Sequence, residues 1–451
     1  MLLPRPEKDF FKTLLTLAVP LMLQNLITFS VGFADNLMVG SLGEGAISGV
    51  YLGNQPQSFL QTVVVGVDSA MLILAAQYWG RKDTVRIKRI FAIAIKAAVG
   101  LALLFTIVVA SAPRFVLGLF TNDTAVMEQG LSYLKYVCWS YVFFAASQLL
   151  ITAMKSVEYV KIGMYSSSIS LSVNIVLNYL LIFGKLGLPK MGVAGAAIAT
   201  LVSRLIEFSV VAFYVFVKDR RLSLKFRELL PMDKELLQDF GKYGAPVIAG
   251  QVVWALNVAV QSGIIGSMGP AATSAVSICS MMFQMISVML FALSNSVGVL
   301  TGKMVGAGEV ERVKNHARIV QLMYLCLGVT FCLFVLLIRR FFISLYNLTP
   351  EGETIAMQFL MIQAISLIGT CYQGHSLMSL VKAGGDTKFV FINDTVFIWC
   401  IVIPSALIAL HVFHAPPWVV YICLKSDEIL KCFVAYFKVN SFNWIKNLTR
   451  T

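Results

Sequence analysis

Twelve stretches of mostly apolar residues follow one another along the chain, at 13–37, 52–76, 90–111, 131–154, 163–184, 191–217, 243–265, 274–302, 317–338, 355–380, 389–412 and 416–437. A helix needs about 20 apolar residues to cross the hydrocarbon layer of a bilayer, so each stretch is expected to span a membrane. The polar segments between them are too short to hold a soluble domain. The longest, 218–242, opens basic (Lys218, Arg220, Arg221, Lys225, Arg227) and continues with mixed charge (Asp233, Lys234, Glu235, Asp239, Lys242), as a surface linker between two halves would. The predicted fold is an all-α membrane protein with twelve transmembrane helices in two six-helix lobes. Its parts are an N-lobe 1–217 (spans 1–6), the linker 218–242, a C-lobe 243–437 (spans 7–12) and a tail 438–451.

The two halves repeat. At an offset of 226, Pro20 meets Pro246, and Gly40-Ser41-Leu42-Gly43 meets Gly266-Ser267-Met268-Gly269. Gly80, Asp83, Arg86 and Lys88 then meet Gly306, Glu309, Arg312 and Lys314 without a gap. Further on, at an offset of 227, Lys155 meets Lys382 and Lys161 meets Lys388. Chance matches between apolar stretches would fall on Leu and Val, not on Pro, Gly and loop charges. Six spans per half is an even number, so both halves insert the same way up. Parallel repeats of this kind point to alternating access around a site between the halves. Pro20 and Pro246 take matching places in the first span of each half. A proline there removes a backbone hydrogen bond and kinks the helix, leaving either a static bend or a helix that flexes as a gate.

Composition agrees with the spans: 58% hydrophobic and 13% charged residues, with a mean hydropathy of +0.79. The net charge of +13 would suggest nucleic acid in a soluble protein. Here its distribution explains it. By these bounds the termini and even-numbered loops carry 25 Lys and Arg, the odd-numbered loops five, and Lys96, Lys135, Arg204, Arg318, Lys425 and Lys431 lie within spans. Cytoplasmic loops collect such residues, so the chain is expected in the cell membrane with both termini in the cytoplasm. The eight cysteines lack metal or redox spacing and read as free thiols. No GxxxxGK[ST], HExxH or GxSxG motif is present, which argues against an ATP-driven pump and against an enzyme. Sequons at Asn122 and Asn347 fall in loops expected outside.

Several segments together resemble the MATE (multidrug and toxic compound extrusion) family of cation antiporters. They are Pro20 with Asp35-Asn36-Leu37-Met38-Val39-Gly40-Ser41-Leu42-Gly43, and Gln77-Tyr78-Trp79-Gly80-Arg81-Lys82-Asp83. Asn174-Ile175-Val176-Leu177-Asn178-Tyr179 and Gly192-Val193-Ala194-Gly195-Ala196-Ala197-Ile198-Ala199-Thr200 follow. In the second half come Pro246 with Gly266-Ser267-Met268-Gly269, and Lys382-Ala383-Gly384-Gly385-Asp386-Thr387. The resemblance implies two lobes around a V-shaped cavity, exporting organic cations in exchange for Na⁺ or H⁺.

Acids within membrane helices are costly, by about 2.5–3.5 kcal/mol on insertion scales, and mark function. Asp35, late in span one, can hold Na⁺, a proton or a cationic drug in competition, the simplest chemistry for antiport. By resemblance it binds the coupling cation, with Asn174 and Asn178 opposite it and Thr200 and the Ala196 carbonyl completing the shell. Independently, Asn174 and Asn178 are four apart and share one helix face. Their oxygens suit Na⁺, or serve interhelical hydrogen bonds. Asp68, Asp394 and His375 are secondary candidates, each read first as a structural polar group; Arg204 and Glu207 read as an internal ion pair. Gln251, Trp254, Asn257 and Gln261 follow at helical spacing on span seven. They form a candidate substrate-cavity face on which Trp254 could stack aromatic cations, or a packing face.

Two positions depart from the sodium-coupled branch. That branch has Glu in span seven and Asp in span ten, where Trp254 and Cys371 stand here, and some members carry an acid where Asn178 stands. This favours H⁺ over Na⁺. The expected protein is a monomeric secondary antiporter for amphipathic organic cations that needs no cofactor and binds no nucleic acid. Its rivals are a flippase for lipid-linked intermediates and a channel or receptor.

Overall fold

The computed structural model describes residues 8–121, 123–346 and 348–450. Asn122 and Asn347, the sequon asparagines, lie outside the described residues. The described chain is helical, without strands. Its first half comprises α1 (Lys8–Gly40), α2 (Glu44–Gly53), α3 (Gln55–Gly80), α4 (Thr84–Ser111), α5 (Pro113–Gly118), α6 (Thr124–Val137), α7 (Ser140–Ser156), α8 (Lys161–Phe183) and α9 (Gly192–Phe213). The second comprises α10 (Lys234–Ser267), α11 (Pro270–Gly306), α12 (Val310–Ser344), α13 (Pro350–Gly369), α14 (Thr387–Val396), α15 (Ile403–His411) and α16 (Pro417–Ser441).

Among the described residues ten helices are long and apolar enough to cross a membrane, and the bent pair α6–α7 makes eleven. The twelfth expected span forms α16, whose Lys425, Asp427, Glu428 and Lys431 hold down its hydropathy. The span expected at 131–154 is not one straight helix: α6 and α7 meet at 53°. At that bend the Cys138 carbonyl accepts from the Tyr141 N–H at 3.3 Å and also from the Thr106 hydroxyl at 3.1 Å, a side chain inserted at the kink. Both prolines sit inside unbroken helices, Pro20 in α1 and Pro246 in α10. The lipid-facing side is plain on α12, where Leu333, Leu337 and Phe341 repeat every four residues and are all exposed.

The repeat is visible in the backbone. Gly43 and Gly269, 226 apart, both turn the chain with positive φ (108° and 99°), a conformation glycine adopts without steric cost. Asp123 caps α6 and Thr349 caps α13, again 226 apart. Lys155 and Lys382 are 227 apart, so the second half gains one residue between 350 and 382. The gain appears as π-helical turns at Thr370–Gly374 and Leu377–Lys382, where the counterpart α7 is α-helical throughout. A π-bulge is what a one-residue excess makes of an α-helix.

The chain divides into two units: residues 19–75 with 82–244, and residues 8–18, 76–81 and 245–450 with the chain ends. The expected linker is not a free surface chain. Asp219 accepts hydrogen bonds from the backbone N–H groups of Arg221, Leu222 and Ser223, and Leu222 and Leu224 are buried. Lys88 pairs with Glu228 at 2.9 Å and Arg89 with Asp233 at 2.8 Å. Lys96 extends from α4 to the Leu230 carbonyl at 2.9 Å, carrying its charge away from the apolar span.

After α16 the chain folds back. Trp444 is fully buried, and Asp386, in the loop before α14, pairs with Lys438 at 2.7 Å and Lys446 at 2.9 Å. Burial disfavours the charged Asp386 carboxylate, but the two lysines prevail and hold its pKa below the usual range. A carboxyl lowered on folding stabilises above its unfolded pKa and loses that effect as pH falls through its folded pKa. Segment 442–450 is therefore expected to loosen as pH drops below about 4, and Asp386→Asn to loosen it at neutral pH by about 1–3 kcal/mol. Amide hydrogen exchange of that segment measures both.

Candidate functional site

α1, α8 and α9 bring Asp35, Asn174, Asn178 and Thr200 into one unit. The Asn178 side-chain N–H donates to the Asp35 carboxylate and also to Asn174 Oδ1 at 3.1 Å. The i, i+4 spacing of the two asparagines on α8 makes the second contact possible. Asn174 and Asn178 are buried, and Asn178 Oδ1 is a buried acceptor without a partner. The Thr200 hydroxyl donates to the Ala196 carbonyl at 3.0 Å, one helical turn back on α9.

Two residues not singled out in the sequence belong to this group. The Tyr133 hydroxyl, on α6, donates to Asn54 Oδ1 at 3.1 Å, and Asp35, Thr200 and Arg204 lie within its electrostatic reach. Asn54 occupies the break between α2 and α3. Arg204 pairs with the buried Glu207 at 2.7 Å, the expected internal ion pair, and lies over the Phe144 ring at 5.3 Å. The Ser167 hydroxyl donates to the same Glu207 at 3.4 Å. The unit thus holds an acid on α1, a neutral amide pair on α8 and an already compensated arginine on α9. The Arg204 charge also acts on Asp35, but its direct partner is Glu207, so the Asp35 carboxylate can exchange a proton or a cation without breaking a direct salt bridge.

Of the secondary candidates, Asp68 belongs to the same unit and Asp394 and His375 to the other. Asp68 has a buried oxygen without a partner, beside Thr152 and Lys155. Asp394 bonds Lys431 at 3.1 Å, and Lys431 also pairs with Asp427 at 3.0 Å. His375 is buried between Phe291 and Tyr324, with Nδ1 unpartnered. On α10, Gln261 donates to Asn257 Oδ1 at 3.0 Å; Asn257 is buried, Gln251 half-buried and Trp254 exposed. The four therefore do not share one environment. Among the described residues no three His, Cys, Asp or Glu side chains gather into a metal-holding group.

The family profile MatE matches residues 20–180 and again 246–408, one copy in each half. The chain belongs to the MatE family. It is a transporter and not an enzyme. Among relatives, a probable multidrug resistance protein, YoeA, of Bacillus subtilis (strain 168) is 26% identical over 424 residues, covering 90% of this chain and 88% of its own. A probable multidrug resistance protein, NorM, of Thermotoga maritima is 23% identical, covering 100% and 96%. Of solved structures, the Vibrio cholerae MATE transporter VcmN in its bent form superposes with a TM-score of 0.85 at 19% identity, over 96% of each chain. A MOP superfamily transporter from Pyrococcus furiosus superposes with 0.83 at 17% identity, over 98% of this chain and 97% of its own. These likenesses extend the MatE fold over nearly the whole chain.

The internal repeat of this MatE chain gives the site a built-in comparison. At the offset of 226, Asp35 corresponds to Gln261 and Tyr133 to Phe359. Gln261 is a neutral amide, and Phe359, without a hydroxyl, stacks on Tyr421 at 4.2 Å. The charged and hydroxylated version exists in the first half only.

Proposed function

We propose that this MatE transporter exports amphipathic organic cations by antiport, with Asp35 as the group that exchanges the coupling ion, and that the ion is H⁺. The observation that carries this is the Asp35 carboxylate held by the neutral Asn178 amide, with neutral Gln261 in its place in the other half. The names of the YoeA and NorM relatives support multidrug substrates. When ionised, Asp35 accepts a charge-assisted hydrogen bond that ties α1 to α8. Protonation removes the charge, weakens that tie and leaves α1 free to bend at Pro20. A cation arriving from the other side displaces the proton, since both need the same charge. Na⁺ would have one carboxylate and neutral oxygens for ligands, whereas a proton needs the carboxylate alone.

The test is efflux of a cationic dye from proteoliposomes with H⁺ and Na⁺ gradients imposed separately. Export should follow the proton gradient at equal Na⁺. Export that follows Na⁺ at equal, fixed pH on both sides overturns the choice of ion. The cell membrane and cytoplasmic termini belong to the same reading. Impermeant thiol reagents on intact cells should label Leu186→Cys, in a strongly exposed loop, and should miss Arg227→Cys. The reverse pattern inverts the topology.

A further inference from the structure

The segment after α16 closes over the end of α3 through one buried side chain, Gln77. Its Nε2 donates to the carbonyls of Ala383 and Lys446, both at 3.3 Å, and its Oε1 accepts from the Leu448 N–H at 2.8 Å. The Tyr78 hydroxyl accepts from the Arg450 N–H at 3.2 Å, and Arg81 donates to the Arg450 carbonyl at 2.8 Å. The same segment grips the loop before α14. The Lys446 N–H donates to the Gly384 carbonyl at 2.8 Å, and the Trp444 ring fills the place a Gly384 Cβ would need. Gln77 thereby joins a first-half helix, a second-half loop and the segment 442–450. Residues 76–81 are grouped with the second-half unit although the preceding residues of α3 are not.

The first half builds a similar strap. There Arg221 donates to the Val157 carbonyl at 2.6 Å, and Val157 stands 227 before Gly384. The residue 226 after Gln77 is Lys303, which cannot accept a hydrogen bond as an amide does, so a junction that both donates and accepts through one side chain is particular to Gln77. Each side-chain bond at Gln77 joins a neutral amide to a backbone group, so water can take its place when the end of α3 draws away, while Trp444 and the Asp386 pairs keep the segment on the loop before α14.

We propose that Gln77 and segment 442–450 form a latch on the transport cycle, closed as seen here in one access state and released in the other so that the end of α3 can move. This rests on the transport reading above. Gln77 is then a positioning residue, acting through the segment it holds.

The experiment is hydrogen exchange, read by mass spectrometry, on the full chain in nanodiscs with and without the lipophilic cation tetraphenylphosphonium, alongside its efflux from proteoliposomes. The latch predicts that exchange in 442–450 changes about ten-fold or more with the cation, as a shift in local opening does. It also predicts that Arg81→Ala and Gln77→Leu raise exchange in both conditions and change turnover while leaving cation affinity unaltered. Arg81 is exposed, so that variant folds even if Gln77→Leu does not. A parent protein that transports while 442–450 exchanges equally slowly in both conditions overturns the latch. So does an Arg81→Ala protein whose segment opens with no change in turnover. A parent that exports nothing under any gradient, yet whose segment responds to the cation, removes the export reading and leaves the latch standing.

Discussion

Asp35→Asn is expected to reduce gradient-driven efflux to the level of empty vesicles while the protein still inserts, folds and runs as a single peak in detergent. The amide oxygen of the new asparagine can accept from Asn178 as the carboxylate does, so the contact between α1 and α8 persists without the charge. What is lost is the difference between two protonation states. A ligand shifts a conformational equilibrium only through differential affinity for the two states, and a group that no longer titrates supplies none. Asp68→Asn is the control. Its counterpart in the repeat is Ser294, so the fold has no general need of an acid there, and its efflux should fall far less. Full coupled efflux by Asp35→Asn would move the mechanism elsewhere, with Asp68 and Asp394 next to be examined.

The largest loss of stability is expected from adding a single methyl group at Gly80 or Gly306. A Cβ at Gly306 would stand 1.8 Å from the Gln77 carbonyl oxygen, and one at Gly80 would stand 2.0 Å from that of Lys303. The pairs are related by the 226 offset: Gly80 corresponds to Gly306, and Gln77 to Lys303. Two repeat-related helix ends therefore cross at their own glycines, backbone against backbone, with no flexible side chain to give way. Gly306→Ala should destabilise by about 3 kcal/mol or more, at or beyond the upper end of ordinary overpacking. Gly100→Ala is the same chemical change on α4, where nothing lies within 4 Å. It should be neutral or slightly stabilising through helix propensity. Thermal unfolding in detergent compares them; a Gly306→Ala protein as stable as its parent would contradict the close crossing.

Span positions, the repeat and the Asp35–Asn174–Asn178 group were legible in the sequence because each rests on a local rule: apolar length, register, or two residues one turn apart. Tyr133 and Asn54 were not. Both reach the group from breaks in helical structure, Asn54 between α2 and α3 and Tyr133 one turn before the bend at 138–139, and no periodicity marks either break. The repeat itself held the missing signal, since Tyr133 aligned with Phe359 and Asp35 aligned with Gln261 are positions where one half has chemistry and the other does not. The span-seven face is open for a related reason. Helical spacing places Gln251, Trp254, Asn257 and Gln261 along one side of α10, but it does not say what packs against each, and Asn257 is buried where Trp254 is exposed.

The extra residue in the second half is absorbed where it arises. One residue would turn an α-helix by about 100° and advance it by about 1.5 Å, but the π-helical turns at Thr370–Gly374 and Leu377–Lys382 take that residue up. The chain that follows is back in phase with its first-half counterpart: Gly384 stands where Val157 does, and the carbonyl of each accepts a hydrogen bond from the strap that packs on it. Two copies of one design can thus differ in length inside a helix and still present matching loops, the difference being confined to the wide turns.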